Sequence, residues 1–203
     1  MFKTYLIASM SLLTLVSSIT CHAEELILKE DTLGPITKST PFDVNTLQHL
    51  LPGYKVRKTI GVTESTPYIV IVVYENDKPR LTIVPKSQES QKIIYCISFT
   101  SKKIKNSLGA LIGEKFGNIY KAGTAHCVPA REEMSGLAIC AAPNVEHVAY
   151  IFARNKRWNG ANDTVPPLNV MQEWTLKQVT WIPDADDVLK DHQYCKAVEL
   201  YAK

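Results

Sequence analysis

The sequence predicts an α+β domain: a mainly antiparallel β-sheet, arranged as a sandwich or half-barrel, with short peripheral helices and a C-terminal helix. Short runs rich in Ile, Val and Tyr are separated by turn residues, which is the pattern of antiparallel strands. Apolar residues recur at helical spacing in a few short stretches. Of the 203 residues, 45% are hydrophobic and 21% are charged, and this composition excludes a disordered tail or a coiled coil.

The N-terminus has the pattern of a secretory signal peptide: one lysine, the apolar stretch Tyr5–Val16, and small residues near a cleavage site. Cleavage after Ala23 would remove residues 1–23 and leave residues 24–203 as a single β-rich envelope domain. Cys21 supports a second interpretation, as the lipidated first residue of a lipoprotein, but the residues before it depart from the usual lipobox. The sequence therefore favours an exported, periplasmic and soluble protein, with a lipid anchor at Cys21 as the alternative.

A first helix is predicted over residues 41–51, where apolar residues recur at helical spacing. Thr40 is the predicted N-cap and Pro41 the first helical residue, and Pro52-Gly53 ends the helix. The hydrophobic period then changes to that of β-strands. Four short strands follow and form an antiparallel meander: Tyr54–Val62, Tyr68–Tyr74, Arg80–Val84 and Lys92–Phe99.

The second half of the chain continues with short elements. Gly109 and Gly113 predict a tight turn that leads into a short helix at residues 113–120, since three glycines inside one helix would each cost about 1 kcal/mol relative to alanine. The elements predicted after it are a hairpin of strands Gly136–Ala142 and His147–Ala153, a polar loop over residues 154–169, and a strand at Trp174–Ile182.

A final helix is predicted over residues 185–201. Acidic residues at its start and lysines towards its end follow the charge order that the helix dipole favours. Val188, His192 and Cys195 would share one face of this helix, so we expect Cys195 to point at the core.

Removal of the leader would leave an even number of cysteines, which in an exported chain indicates disulfides before metal ligands. Four cysteines allow three pairings, and the sequence alone does not choose among them. The preferred pairing joins Cys127 to Cys140, which closes a short local loop. It also joins Cys96 to Cys195, which ties the C-terminal segment to the sheet.

The search for catalytic and metal-binding motifs is negative. The chain has no nucleophile elbow, no phosphate loop, no dinucleotide fingerprint and no zinc-binding helix. A metal site would use His126, Cys127, Cys140 and His147, but this spacing matches no zinc finger or ribbon. A net charge of +3 is too small to indicate a nucleic-acid partner. We therefore expect no catalytic residue, no metal and no cofactor.

A basic loop with one large aromatic residue is the candidate partner-binding segment. It follows a predicted strand and carries Arg154, Lys156, Arg157 and Trp158. Arginine and tryptophan are the residues most enriched in binding hot spots, and rigid scaffolds often present function on such loops. The structural alternative is that Trp158 folds back onto the sheet while the basic residues are merely solvated.

Glycines, prolines, aromatic residues and cysteines, with a few aliphatic residues between them, recur along the chain in a characteristic order: Gly34-Pro35, Pro41-Phe42, Leu47, Pro52-Gly53-Tyr54, Val56, Gly109, Gly113, Phe116, Cys127, Cys140, His147, Tyr150-Ile151-Phe152, Trp174 and Trp181. This pattern resembles the RpoE-regulated lipoprotein family, envelope proteins of Gram-negative bacteria with a domain of unknown function. The resemblance covers roughly residues 34–182 and implies a β-rich envelope domain that is regulated with envelope stress. Cys96 and the helix bearing Cys195 are additions to the pattern, which fits a second disulfide specific to this chain.

The sequence thus predicts a non-catalytic exported envelope protein with a structural or stress-related binding role. The alternative is a periplasmic inhibitor or immunity protein that blocks a cell-wall hydrolase, because a rigid loop on a small disulfide-bonded domain binds with little ordering cost. The expected partner is an envelope protein or a cell-wall component. No transmembrane segment is predicted in the mature chain, and the oligomeric state is left open.

Overall fold

The strands and helices are seen in a computed structural model, which describes residues 25–63, 66–121, 123–131, 134–154, 160–161, 164–192 and 195. Within these residues the chain forms twelve strands and four helices: β1 (Ile27–Leu28), β2 (Thr32–Leu33), β3 (Ile36–Thr37), α1 (Val44–Leu50), β4 (Lys55–Thr63), β5 (Thr66–Glu75), β6 (Lys78–Pro85), β7 (Ile94–Phe99), β8 (Lys105–Asn106), α2 (Phe116–Ile119), β9 (Cys127–Pro129), β10 (Ala138–Ala141), β11 (Val148–Ala153), α3 (Leu168–Met171), β12 (Thr175–Trp181) and α4 (Val188–Asp191). No helix in this part of the chain is long and apolar enough to cross a membrane.

An open eight-stranded sheet forms the centre of the fold. Its strand order is β4-β5-β6-β7-β12-β11-β10-β9, and every neighbouring pair is antiparallel. The β4–β7 part is the predicted meander, and β10–β11 is the predicted hairpin. Since side chains alternate between the faces of a strand, Ile71 and Val73 pack into one hydrophobic core while Val70 and Val72 pack into another. The prediction of a mainly antiparallel α+β fold is confirmed.

A second, small sheet covers one face of the large sheet. Its strand order is β3-β2-β1-β8, with β1 and β8 parallel. Leu28, Leu33 and Ile36 from this sheet are fully buried in the same cluster as the large sheet's inward residues, which we call the first core. The turn before β3 needs Gly34, because its φ is +57° and a Cβ there would lie 2.7 Å from Cδ2 of Leu26.

The first core is rich in large aromatic side chains, and two of its tyrosines form hydrogen bonds where strands and turns meet. Phe116 packs edge-on against Phe152 with ring centroids 5.1 Å apart. The buried Asn106 donates from Nδ2 to the hydroxyl of Tyr150 at 2.9 Å. Tyr120 donates to the carbonyl of Ala141 at 2.6 Å. Burial raises the pKa of both tyrosines, so both hydroxyl groups stay protonated.

The opposite face of the large sheet carries the second core, which includes Val70, Val72 and Ile151. Helix α4 and the residue Cys195 pack into this core, with Val188 and Cys195 buried. The Tyr95 hydroxyl donates to the carbonyl of Asp191 at 3.0 Å, which anchors the end of α4 to β7. Helix α4 and Cys195 therefore cover part of the second core.

The structure corrects several local predictions. The cap of α1 is Asp43, whose carboxylate accepts from the Thr46 N–H at 2.8 Å, so the prediction of Thr40 as the cap is wrong. Pro41 is held extended by a bridge to Ile93, which delays the start of the helix. The predicted loop at 154–169 ends in helix α3. The short strands β1–β3, β8 and β9 were not predicted, and the final helix is described over Val188–Asp191.

Candidate functional site

A cleft of about 270 Å³, lined mostly by charged residues, lies at one end of the large sheet. It forms where β4 begins, where β5 turns into β6, and where the chain leaves β7 for β8. These points lie together because antiparallel pairing places Glu75 opposite Lys78 and Tyr74 opposite Lys55. Eight residues line the cleft: Glu25, Tyr54, Glu75, Arg80, Lys102, Lys103, Ile104 and Lys105.

Glu75 and Arg80 form the rigid centre of the cleft. Arg80 binds Oε2 of Glu75 through Nε at 2.9 Å and through Nη2 at 2.6 Å. Lys103 donates to the same oxygen at 2.9 Å. The hydrogen bond from Lys103, followed by the hydrogen bond and the positive charge of Arg80, keeps the pKa of Glu75 below its ordinary value. Both central side chains are largely buried, with only 14% of Arg80 and 20% of Glu75 exposed.

Ser101 links this ion pair to the segment that carries the lysines. Its Oγ accepts from Nη1 of Arg80 at 3.1 Å and from the backbone N–H of Lys103 at 3.3 Å. Arg80 is thereby held from two sides, by a carboxylate and by a hydroxyl. Such a guanidinium is preorganised, because little rotamer freedom remains for it to lose on binding a ligand.

The lysines at the rim of the cleft differ in whether they form an ion pair with a neighbouring carboxylate. Lys105 pairs with Glu25 at 2.8 Å, and both side chains are more than half exposed. Lys102 has no ion pair within the described residues. Its aliphatic stem lies across Gly113, where an added Cβ would come within 3.2 Å of Lys102 Cε. Lys102 is therefore a cation whose charge no neighbouring carboxylate neutralises in the described chain.

The cleft has the charge that an anion-binding site needs. Four cationic and two anionic side chains line it, which leaves a net charge of +2. Arginine and lysine at such a site recognise phosphate, sulfate or carboxylate groups through charge-assisted hydrogen bonds. Among the described residues no group of three or more His, Cys, Asp or Glu side chains could hold a metal ion.

The predicted partner-binding loop begins at the same end of the sheet as the cleft. Ala153 pairs with Thr175, and the register then runs through β12 and β7 to the start of β6. The exposed Arg154 directly follows β11. In the sheet, β11 is the second strand from β7, and two strands so placed are about 10 Å apart at the usual strand spacing. Lys156, Arg157 and Trp158 lie outside the described residues, as does the alternative lipidation site Cys21.

The four cysteines of the predicted mature chain form two disulfides in the structure. Cys127 joins Cys140 between paired positions of β9 and β10, with Cα atoms 4.0 Å apart. Cys96 of β7 joins Cys195, with Cα atoms 6.2 Å apart. This is the pairing that the sequence analysis prefers. The alternative metal site is wrong for this structure, because both of its cysteine sulfurs are used in a disulfide.

Sequence reasoning missed the cleft. The main feature of the sequence that could have indicated the cleft is a short basic run soon after a strand, formed by Lys102, Lys103 and Lys105. The partners that give this run a shape, Glu75 and Arg80, flank a turn more than twenty residues earlier, and only the strand register brings them to the lysines.

Fold and cleft together define a class: a β-rich, disulfide-bonded domain with a small basic site and no assigned activity. The chain belongs to the family described as "Protein of unknown function (DUF1131)", whose model matches residues 13–183. The matched segment ends before α4 and Cys195. The chain is also similar in structure to the uncharacterized protein yfeY from Escherichia coli, with a TM-score of 0.62 and 20% sequence identity over 78% of this chain and 99% of that chain. No match was found among curated proteins.

Proposed function

We propose that this chain is a non-catalytic protein of the bacterial envelope, with a structural or stress-related role that depends on binding an anionic envelope component in the cleft. The observation that carries the proposal is the net charge of +2 around an arginine that Glu75 and Ser101 hold in place. Two disulfides suit an oxidising compartment outside the cytoplasm. The resemblance to envelope proteins regulated with envelope stress supports the same location.

The expected ligand group is a phosphate or a carboxylate at the surface of a larger envelope molecule. A cleft of about 270 Å³ holds one such group and not a whole polymer or lipid. Arg80 supplies oriented donors near the floor, while Lys102 supplies a charge without a local partner. Binding would therefore weaken with added salt, because at least part of the attraction comes from exposed charges.

The first test is the substitution Lys102→Gln. We expect it to weaken binding of inorganic phosphate, and of vesicles containing phosphatidylglycerol, by about fivefold, which corresponds to one exposed charge interaction. Stability should not change, because Lys102 has no ion pair within the described residues. Calorimetric titration with phosphate and co-sedimentation with vesicles give the two affinities.

The matched control is Lys92→Gln. Lys92 is exposed and lies just before β7, at the opposite end of the sheet, so this variant changes the net charge equally without touching the cleft. Equal weakening in the two variants would show that net charge alone drives binding and would refute the cleft as the site. Phosphatidylcholine vesicles should bind neither variant.

A second candidate function is the inhibition of a cell-wall hydrolase. It is favoured by the placement of Arg154, the first residue of the candidate loop, at the end of the sheet that also carries the cleft. We expect the double substitution Arg157→Ala with Trp158→Ala to abolish a stoichiometric block of such an enzyme. The measurement is residual hydrolase activity against inhibitor concentration, after a pull-down with oxidised residues 24–203 has identified the enzyme. An unchanged titration would exclude the loop.

Export and anchoring are part of the proposal. We propose cleavage after Ala23 to give a periplasmic protein, and the intact mass of the mature chain from the envelope measures this directly. A mass that includes acyl chains on Cys21 would show the lipid-anchored form instead. Induction of the transcript under envelope stress would support the regulation that the family resemblance implies.

A further inference from the structure

The outer edge of β4 is covered at its beginning by a side chain of α1. Gln48 donates from Nε2 to the carbonyl of Tyr54 at 2.8 Å and accepts from the N–H of Val56 at 3.0 Å. These are the two bonds that a residue of a neighbouring strand would make with β4. The carboxamide of Gln48 thus takes the place of a strand at this point, and the helix protects the first residues of the edge.

A glutamine side chain covers a piece of strand edge on β5 in the same way. Beyond the end of its pairing with β6, β5 has an exposed edge at Ile69. Gln88 accepts from the N–H of Ile69 at 2.6 Å and donates to its carbonyl at 3.3 Å. The fold therefore covers two short pieces of strand edge with glutamine side chains.

The middle of β4 has no such cover within the described residues. In an antiparallel pair the N–H and C=O of one residue point to the same side, and the side alternates along the strand. The register between β4 and β5 runs without a shift from Lys55 to Thr63. Because the Val56 N–H points outward to Gln48, the backbone groups of Lys58 and Ile60 also point outward. Neither residue makes an outward backbone hydrogen bond to another described residue.

The side chains around this free edge are apolar at one position and cationic on both faces. Ile60 is 66% exposed, which is unusual for a large apolar residue on a strand. Lys58 lies over the ring of Phe42, on the side of the first core, at 5.9 Å from the ring centroid. Arg57 lies over the ring of Tyr74, on the side of the second core, at the same distance. Both cations are held close to the edge by these contacts.

Among the described residues, the negative charges near the edge are few and already engaged. Asp77 pairs with Lys55 at 3.5 Å, at the protected beginning of the strand. Asp43 lies close enough to Lys58 for their charges to interact. Its carboxylate is already engaged as the cap of α1, where it accepts hydrogen bonds from the N–H and the hydroxyl of Thr46. The free edge therefore favours acidic side chains on an incoming strand.

We propose that the edge of β4 at Lys58 and Ile60 is a docking site for an extended, acidic peptide segment of another protein, which binds by adding a strand to the sheet. The segment's backbone pairs with the outward groups of Lys58 and Ile60, and an apolar side chain covers Ile60. Acidic side chains on its two faces meet Lys58 and Arg57. This surface is separate from the cleft and does not depend on the anion that the cleft binds.

A second copy of this chain is the competing occupant, and the charges disfavour it. Two β4 edges in contact would bring two copies of Arg57 and Lys58 into one short interface, and no other described residue beside Lys58 and Ile60 adds a carboxylate there. Lysine and arginine on an exposed edge are a common means by which proteins prevent pairing of identical strands. An acidic segment gains from the same charges.

The test uses the full oxidised protein and short peptides with the repeat Glu-Glu-Val-Val, which places both Glu and Val on each face of an extended strand. This is the Glu/Val peptide, and a Lys/Val peptide of the same length, with Lys in place of Glu, is its charge-reversed counterpart. We expect the Glu/Val peptide to bind with an affinity at least about tenfold higher than that of the Lys/Val peptide. It should also slow hydrogen exchange at the amides of Lys58 and Ile60. Equal affinity for the two peptides, or no protection of these amides, would overturn the proposal.

A proline variant separates the backbone contact from the side chain. Ile60→Pro removes the outward N–H but no bond to β5, and edge strands tolerate proline. We expect this substitution to lower the affinity for the Glu/Val peptide by about fivefold. The matched control Ile60→Thr keeps the N–H and should bind more tightly than Ile60→Pro. Equal affinities of the two variants would refute strand addition.

A charge-reversed variant keeps the proposal testable if the proline variant does not fold. Arg57→Glu with Lys58→Glu should reverse the preference and bind the Lys/Val peptide more tightly than the Glu/Val peptide. A preference that stays unchanged would refute the role of these two cations. If light scattering shows a dimer that Ile60→Pro converts to a monomer, and no peptide binds, the edge pairs with a second copy and the proposal is wrong.

Discussion

Replacement of Cys96 and Cys195 together by alanine should lower the free energy of unfolding by about 4 to 5 kcal/mol. The two residues are separated by 99 positions, and a crosslink over such a loop removes much conformational entropy from the unfolded chain. Both cysteines are fully buried in the second core, so their sulfurs also contribute packing there. Denaturant titration followed by the β-sheet signal measures the change, with the wild-type chain under oxidising conditions as the reference.

The matched control is the double alanine variant of Cys127 and Cys140. Its disulfide spans only 13 positions and joins two strands that already pair, so the entropic model predicts a smaller loss of about 3 kcal/mol. The long-range variant should therefore be the less stable of the two. If its sheet instead unfolds at the wild-type denaturant concentration, after an earlier separate transition of α4, the C-terminal segment is an independent unit and the prediction fails.

Acid should destabilise the protein between about pH 6.5 and pH 4 through His192. This residue is 2% exposed in the second core, and its Nε2 lies 3.2 Å from Thr180 Oγ1, which in turn lies 3.0 Å from Ser98 Oγ. Burial lowers the pKa of His192 from 6.5 to about 4, because the charged imidazolium would lose its hydration. The folded chain therefore holds a neutral imidazole where the unfolded chain takes up a proton.

The sign follows from this difference in proton uptake. Above pH 6.5 His192 is neutral in both the folded and the unfolded state, so its protonation does not reduce the free energy of unfolding. As the pH falls towards 4 the unfolded state alone gains the proton, so the free energy of unfolding decreases by about 3 kcal/mol. His192→Gln should flatten this part of the stability profile, measured by denaturant titration at a series of pH values.

His49→Gln is the control for the pH profile. His49 is exposed in α1, which packs on the first core through Leu47 and not on the second core that holds His192. This variant should keep the wild-type slope between pH 4 and pH 6.5. If the His192→Gln profile ran parallel to that of the wild type, burial of His192 would not be the cause of the acid sensitivity.

The elements with a strong local pattern were predictable. The strands of the β4–β7 meander and the β10–β11 hairpin carry runs of β-branched and aromatic residues between turn residues, and they are present in the structure. Strands β1, β2, β3 and β8 have only two residues each, which is too short for any period to show. They exist because their neighbours supply the hydrogen bonds.

The start of α1 shows how tertiary contacts decide between equivalent local signals. Thr40 and Asp43 are both good N-cap residues by type. The bridge from Pro41 to Ile93, together with the bond from the Phe42 N–H to the Lys92 carbonyl, keeps the chain extended past Thr40. The cap therefore moves to Asp43. The distant partner strand, and not the local sequence, sets this boundary.

The candidate sites also differ in whether the sequence alone could reveal them. Arg154 and the basic loop were visible in the sequence because the loop's residues are adjacent. The cleft was not visible, because Glu75, Arg80 and Lys103 come together only through strand register and a turn. The free edge of β4 also required the structure, since a strand's neighbours determine which of its backbone groups remain unpaired.

The sequence by itself determined the antiparallel α+β class, the succession of the longer strands along the chain and the even number of cysteines that indicates disulfides. These depend on hydrophobic period, turn chemistry and cysteine count, all of which are local or compositional. The tertiary structure alone decided which face each core occupies, where the C-terminal segment lies and which charged groups meet in the cleft. Those features depend on contacts between residues far apart in the chain, and no local pattern carries that information.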